Sequence, residues 1–325
     1  MTDQKTDTQV SSDTSRTDLN SNGSSESLAA HVRLSAEKCF DRGLQFDDAG
    51  KHVNALAWYR KAADQGYAEA QVILGWHYHT GEGVPQDDDE EAVRWYRLAA
   101  GQGHAQAQYN LGVAYRDGDG VPQDDVESIR WFRLSADQGH APAQFMCGWM
   151  RNKSRSIPED ETTAVRWYRL AADQGYAVAQ VTLAWHYHTG EGVSQDDAEA
   201  ARWYRLAADQ GDAVAQQSLG CVYRDGKGVP QDNEESVRWF ILAAEQGRAD
   251  AQHDLACSYR DGNGVPQDYV QAHMWYSLSA SRSSESEWAD SAKNRDLTAQ
   301  RMTPEQLAEA QSLAREWEAA HPRDP

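Results

Sequence analysis

Seven tryptophans recur at an almost constant interval, and this interval constrains the fold more than any other feature of the chain. They are Trp58, Trp95, Trp131, Trp167, Trp203, Trp239 and Trp275. The first interval is 37 residues and each of the next five is 36 residues. A fixed period of about 20–50 residues is typical of stacked supersecondary units, because each unit completes its core only against its neighbours. We therefore expect one elongated repeat domain.

Residues 67–103 show how one unit is organised. A first helix is predicted from a stripe at helical spacing, which consists of Gln71, Leu74, Gly75 and Tyr78. Glycines and a proline break this helix at residues 81–85, because glycine adopts positive φ angles and proline lacks a backbone N–H. Asp87 or Asp88 can cap a second helix, which is predicted to end near Gly103. The apolar stripe of that second helix is Ala92, Trp95, Tyr96, Ala99 and Ala100.

This pattern occurs six times, so we predict six helix pairs. Their approximate ranges are 67–103, 104–139, 140–175, 176–211, 212–247 and 248–283. An isolated pair cannot bury both of its faces, and each is expected to pack on the pairs before and after it.

The residues shared by these units resemble a known family. The string A-x-A-Q-x-x-L-G-x-x-Y-x-x-G-x-G-V-x-x-D, followed by A-x-x-W-x-x-x-A-A-x-Q-G, is similar to the Sel-one-like repeat of the tetratricopeptide-like proteins. The resemblance covers residues 67–283 and implies an all-α solenoid, a right-handed superhelix of antiparallel helix pairs. Residues 29–66 lack the Gly-x-Gly loop and look like a plain tetratricopeptide repeat.

The two ends of the chain differ from the repeats. Residues 1–28 are rich in Ser, Thr and Asp and hold few large apolar side chains, so this tail is predicted to be disordered. Residues 284–325 are predicted to form capping helices that cover the apolar end of the stack. Thr303, Pro304 and Gln306 have the spacing of a capping box with proline at the first helical position.

Composition narrows the range of partners and locations. The formal net charge of −20 disfavours nucleic acid and anionic membranes, which bind clustered Lys and Arg. No apolar run approaches the roughly 20 residues that span a bilayer, and no secretory signal is evident. We read the four cysteines, Cys39, Cys147, Cys221 and Cys257, as reduced thiols, with Cys147 in the core. The expectation is a cytoplasmic monomer.

In tetratricopeptide-like proteins the first helix of each pair lines a concave groove, and the resemblance implies the same here. The groove positions vary between units whereas the core stripe is nearly constant, which favours a surface for a protein or peptide partner. The candidate binding residues are Trp76, His79, Tyr109, Arg116, Phe145, Trp149, Trp185, His188, Arg224 and Arg260.

Two alternatives apply to these candidates. Trp76 and Trp185 could instead pack against the adjacent helix and belong to the core. Arg116, Arg224 and Arg260 could instead form ion pairs with acids of the next repeat, and exposed pairs of that kind contribute little stability.

The loop of the third unit departs from the pattern. Both glycines are missing, and Arg151, Lys153 and Arg155 stand in this otherwise acidic chain. One interpretation is a loop that has drifted but still closes. The other is a docking point for an acidic segment, or a bend in the superhelix.

No motif indicates catalysis or a cofactor. The His-Tyr-His segments 77–79 and 186–188 do not suit a metal, because residues i and i+2 of a helix point to different faces. We therefore expect a non-enzymatic scaffold or adaptor without cofactor. The alternatives are a β-lactam-binding or hydrolysing enzyme, as suggested for cysteine-rich relatives, and a self-assembling structural solenoid.

Overall fold

The computed structural model describes residues 34–84, 88–153, 161–282 and 285–322, and these segments contain sixteen α-helices and no strand. Side chains are not described for residues 151–153 and 285–289. The helices are α1 Ala36–Asp48, α2 His52–Ala63, α3 Ala68–Thr80, α4 Asp89–Gly101, α5 Ala105–Asp117, α6 Asp125–Ala136, α7 Ala141–Lys153, α8 Glu161–Asp173, α9 Ala177–Thr189, α10 Asp197–Asp209, α11 Ala213–Asp225, α12 Asn233–Glu245, α13 Ala249–Asp261, α14 Tyr269–Arg282, α15 Glu285–Ala299 and α16 Pro304–Ala320. The predicted all-α repeat fold is confirmed.

The helices stack in chain order. Consecutive helices pack against each other from α1 to α15. Odd- and even-numbered helices therefore alternate along the stack, and each pair depends on its neighbours for burial. The tail at residues 1–28 and the side chains of Arg151, Lys153 and Arg155 lie outside the described residues, so their predicted roles stay predictions.

The Gly-x-Gly loop has a separate reason for each glycine. Gly118 adopts a φ of +85° directly after α5, a left-handed conformation that lets the chain leave the helix. Gly120 also has a positive φ, and a Cβ there would overlap the backbone carbonyl of Asp89 in the preceding pair. The second glycine thus permits a loop of one pair to lie directly on the first turn of the even helix before it.

Aspartate is the N-cap residue of most of the even-numbered helices that have a described cap. The side chain of Asp88 accepts a hydrogen bond of 3.0 Å from the backbone N–H of Glu91, so the predicted cap is Asp88. Asp124, Asp196 and Asp232 cap α6, α10 and α12 in the same way. Gly103 has a φ of +89° just past α4, as expected for a glycine that terminates a helix.

Small residues on the odd helices admit aromatic rings from the even helices. A Cβ at Gly112 would lie 2.7 Å from the ring of Phe132, so the glycine is what allows this approach. Leu111 beside it is fully buried, and Cys147 fills the corresponding position of α7 with no exposure, as predicted. All four cysteines are free thiols.

A ladder of buried glutamines joins neighbouring helix pairs. Gln180 on α9 donates a hydrogen bond of 3.1 Å to the carbonyl of Ala172, in the last turn of α8. Its own side-chain oxygen accepts a hydrogen bond of 2.7 Å from Gln210, which follows α10. The Ala172 carbonyl also accepts from the backbone N–H of Gly175, so the glutamine adds a second hydrogen bond to a carbonyl of the preceding pair and is itself held by its own pair.

The same arrangement occurs at five positions of the stack. The pairs of glutamines are Gln71 with Gln102, Gln108 with Gln138, Gln144 with Gln174, Gln180 with Gln210, and Gln216 with Gln246. Gln252 on α13 makes the hydrogen bond to the preceding pair, but its side-chain oxygen is buried without a partner. The residue one period after Gln246 is Arg282, which instead donates to the carbonyl of His321.

The C-terminal pair packs differently from the repeats. Helix α16 lies against α14, where Ala310 and Ala314 are buried and the rings of Trp317 and Trp275 are 6.0 Å apart. Its N-terminus has the predicted capping box, since Thr303 accepts from the backbone of Gln306 and the Gln306 side chain accepts in return. No helix among the described residues is long and apolar enough to cross a membrane.

Gln180→Ala should lower the free energy of unfolding by about 1–3 kcal/mol, because it removes two hydrogen bonds, one to the Ala172 carbonyl and one from the Gln210 amide. Urea denaturation followed by circular dichroism measures this. The control is Gln195→Ala, which removes an exposed glutamine that donates 3.0 Å to the carbonyl of His188. An equal loss in the two variants would contradict a structural role for the buried ladder.

Candidate functional site

The candidate residues lie on the outer positions of the odd helices α3, α5, α7, α9, α11 and α13, which we call the A-face. Trp76 and Trp185 occupy equivalent positions on α3 and α9, with exposed fractions of 45% and 43%. Both indole rings are open to solvent, so core packing does not describe them. His79 and Arg224 are also exposed, and the remaining candidates are half-buried: Tyr109, Arg116, Phe145, Trp149, His188 and Arg260.

Trp149, on α7, is placed differently from Trp76 and Trp185. Its ring packs against the buried core of its pair, and the guanidinium of Arg116 lies 5.9 Å from the ring centre. The same guanidinium also lies 3.9 Å from the sulfur of Met146. Trp149 thus contributes to packing between α5 and α7 as well as to the surface.

Tyr109 and Phe145 each sit between two helix pairs. The Tyr109 ring lies 5.6 Å from Phe132 and 5.1 Å from His140, and burial raises the pKa of its hydroxyl. Phe145 lies 5.5 Å from Tyr168 in a similar contact. Tilted ring pairs at these separations are favourable. They contribute to packing within each pair and, through His140, between neighbouring pairs.

The two exposed-face histidines contact carboxylates at the start of an even helix. The Nδ1 atom of His79 is 2.7 Å from Asp89, and that of His188 is 2.6 Å from Asp197. His77, two residues before His79, is buried and its Nδ1 is 2.7 Å from the carbonyl of Glu82. The histidines of one His-Tyr-His segment therefore have different partners, as helix geometry requires.

The three arginines pair mainly within their own repeats, which corrects the expectation of partners in the next repeat. Arg116 donates from Nε to the adjacent Asp117 at 2.7 Å, and Arg260 does the same with Asp261. The aspartate next in the chain is within reach of the guanidinium regardless of the spacing between repeats, and this favours the local ion pair over one with the next repeat. Of these three arginines, only Arg224 also forms an ion pair with an acid of the next pair, at 2.8 Å to Asp254.

A cavity opens on the A-face between α3, α4 and α5, and we call it the Trp76 cavity. Four candidates line it: Trp76, His79, Tyr109 and Arg116. Its floor is apolar and consists of Ala92, Val93, Tyr96, Val113 and Ala114. Asp89, Asn110 and Asp119 complete the rim. None of these rim and floor residues was among the candidates. The residues of α4 and the loop residue Asp119 lie outside the groove pattern, whereas Asn110, Val113 and Ala114 lie on the odd helix α5 itself.

An equivalent cavity lies three pairs further along, and we call it the His188 cavity. Its lining includes His188, Tyr204, Gln217, Cys221, Asp225 and Lys227. Between α5 and α7, the positions of Asn110 and Val113 are taken by the larger Met146 and Trp149. Side-chain size at two positions of the odd helix thus decides how much space remains beside each pair.

The thiols of this face are weakly acidic. Burial, together with the carboxylate of Asp254 3.8 Å away, raises the pKa of Cys221 to about 12. Burial also raises the pKa of Cys257, whose sulfur is 3.1 Å from the hydroxyl of Tyr276. Both thiols are therefore protonated at neutral pH, which makes them poor nucleophiles and poor metal ligands.

A family model for the Sel1 repeat matches most of the chain. The matched segments are 28–67, 68–104, 105–140, 141–176, 177–212, 213–247 and 249–284. The chain belongs to the Sel1 repeat family. The model also matches the first unit, which looked like a plain tetratricopeptide repeat; its two helices are joined by residues 49–51 alone.

Solved structures agree with this assignment. A Sel1 repeat protein from Oxalobacter formigenes has a TM-score of 0.66 and 29% identity, covering 76% of this chain and 98% of that one. A protective antigen of uropathogenic Escherichia coli with an SLR fold has a TM-score of 0.55 and 30% identity, covering 87% of this chain and 68% of that one. No protein of curated function shows significant similarity.

The family gives the general class of function. Sel1 repeat proteins generally mediate protein–protein interactions, and their fold is typically a non-enzymatic scaffold. The candidate site of this chain is accordingly a surface with cavities, and among the described residues no group of three or more His, Cys, Asp or Glu could hold a metal ion.

Cys221 should react with iodoacetamide at pH 8 at least about 100-fold more slowly in the folded chain than in urea, because its raised pKa leaves little thiolate. Thiolate appears only as the pH approaches the raised pKa, so the rate should still be rising above pH 10. Peptide mapping by mass spectrometry measures each cysteine separately. Equal rates in the folded and unfolded chain would contradict the burial of this thiol.

Proposed function

We propose that this chain is a non-enzymatic scaffold that holds a peptide or helix of a partner protein on its A-face. The observation that carries this proposal is the pair of exposed tryptophans, Trp76 and Trp185, at equivalent positions of α3 and α9. Large aromatic side chains are frequent among the residues that dominate binding energy at protein interfaces. Two of them on one face of a Sel1 repeat protein support a binding surface there.

The variation between repeats supports the same surface. The core position that holds Leu74, Leu111 and Leu183 is a leucine in each of the six units of residues 67–283 except the one with Cys147, and it is fully buried or nearly so. The outer positions hold Trp76, Val113, Trp149, Trp185, Cys221 and Cys257, which differ in size and polarity. A surface that changes from pair to pair can distinguish one partner segment from another. Identical packing sites would instead be filled by side chains of one size.

The proposed partner is a protein or peptide, not a nucleic acid or a membrane, because a net charge of −20 repels phosphate. The packing of α16 on α14 supports a chain that acts as a monomer. Four unpaired cysteines fit a reducing compartment such as the cytoplasm.

The double substitution Trp76→Ala/Trp185→Ala should weaken partner binding at least about tenfold while leaving the helical content unchanged, since each exposed ring contributes to the interface and not to the core. Affinity capture from a lysate of the source organism, with quantitative mass spectrometry, identifies proteins lost with the variant. Calorimetry with the purified partner then measures the change in Kd.

The matched control is Leu98→Ala/Leu206→Ala. These leucines are similarly exposed, at 46% and 39%, but lie on the even helices α4 and α10. Retained binding in this control, with loss in the tryptophan variant, places the partner on the A-face. Equal binding by all three proteins, or loss in the leucine variant alone, would move the site elsewhere.

A further inference from the structure

The Trp76 cavity differs from the His188 cavity in charge, and this difference indicates the chemistry of the partner. We propose that the Trp76 cavity binds a lysine or arginine side chain of the partner segment. Its aliphatic stem would lie on the apolar floor and its cation between Trp76, Asp89 and Asp119. This inference rests on the proposed function and specifies which side chain the partner presents.

The apolar floor suits the methylene stem of a lysine or arginine side chain, and the indole of Trp76 suits its cation. Val93, Tyr96 and Val113 provide the apolar floor, which accepts the methylene stem of lysine or arginine. Trp76 lines the cavity and has an exposed fraction of 45%. A cation over an indole face is attracted by the ring quadrupole, and tryptophan is the best of the aromatic residues for this contact.

The carboxylates of the rim outnumber the cations of the cavity lining. Arg116, the one arginine in the cavity lining, is already paired with Asp117 through its Nε and Nη2 atoms. Asp119 forms no salt bridge with any described residue, although the Arg116 guanidinium is close enough for the two charges to attract. Within the described part of the chain, the ion-pair partner of Asp89 is the imidazole of His79 at 2.7 Å. The rim therefore carries an excess of negative charge that a cationic side chain would neutralise.

The His188 cavity provides an internal comparison. Lys227 stands at the position equivalent to Asp119, so this second rim already contains its own cation. Gln217 also replaces Tyr109 there, which makes the lining less aromatic. The two cavities share their histidine–aspartate contact and their position in the repeat, yet only the Trp76 cavity presents an unmatched carboxylate beside an exposed indole.

The test begins with a phage-displayed library of random dodecapeptides, selected on the full-length chain and counter-selected on the Trp76→Ala/Trp185→Ala variant. Selected peptides are labelled with fluorescein, and fluorescence polarisation at low salt gives their Kd values. The expected peptides contain a lysine or arginine whose replacement by methionine weakens binding about tenfold or more, because the stem remains and the charge is lost.

Substitutions in the chain then locate that cation. Asp119→Lys, which copies the residue of the His188 cavity, should weaken binding about tenfold or more, and Asp119→Asn should do so with less change in size. In both variants the lysine-to-methionine exchange in the peptide should cost little further, since the two changes remove one interaction. Lys227→Asp is the control and should leave binding to the Trp76 cavity unchanged.

The outcomes separate the two proposals. A library that yields no peptide dependent on the tryptophans contradicts the A-face as a binding surface, and with it this inference. Peptides that depend on Trp76 but lack a cation, or that bind Asp119→Lys and Asp119→Asn as tightly as the original chain, leave the scaffold in place and overturn the cationic ligand. Circular dichroism of each variant shows that the fold is retained.

Discussion

The glutamine ladder is the interaction on which the regularity of this stack depends. Each buried glutamine joins the last turn of one pair to the next pair, as Gln144 does with the carbonyl of Ala136 and the amide of Gln174. A buried amide that lost either partner would remain desolvated and unpaired, which is costly. Its geometry therefore fixes both the distance and the register between consecutive pairs. A purely apolar contact would tolerate sliding, because the hydrophobic effect has no direction.

Because the ladder and the core stripe hold the pairs in place, the outer positions of the odd helices can change without loss of the fold. Val113 and Trp149 occupy the same position of successive repeats, and they differ in volume more than a packed core position would accept. The small residue leaves the Trp76 cavity open, whereas the large one packs between α5 and α7. Variation at fixed spacing is how one repeated unit provides a surface that is not uniform.

The charged side chains also divide into those that are paired locally and those that vary between repeats. The arginines of the A-face are mostly held by the aspartate next to them in the chain, so they add little free positive charge to the surface. The aspartates that cap the even helices serve the backbone of their own helix. In charge, two equivalent parts of the A-face differ at one loop position, which is acidic at Asp119 and basic at Lys227.

The sequence by itself determined the helix pairs, the capping aspartates, the turn glycines and the family, since these follow from local spacing that recurs along the chain. It also indicated the odd helices as the variable face. Only the tertiary structure decided that Trp76 and Trp185 are exposed while Trp149 is half-buried, that Arg116 pairs with Asp117, and that Asp119 lies on a cavity rim. The physical reason is that periodicity is a property of one chain segment, whereas exposure and pairing depend on the side chains that two neighbouring pairs bring together.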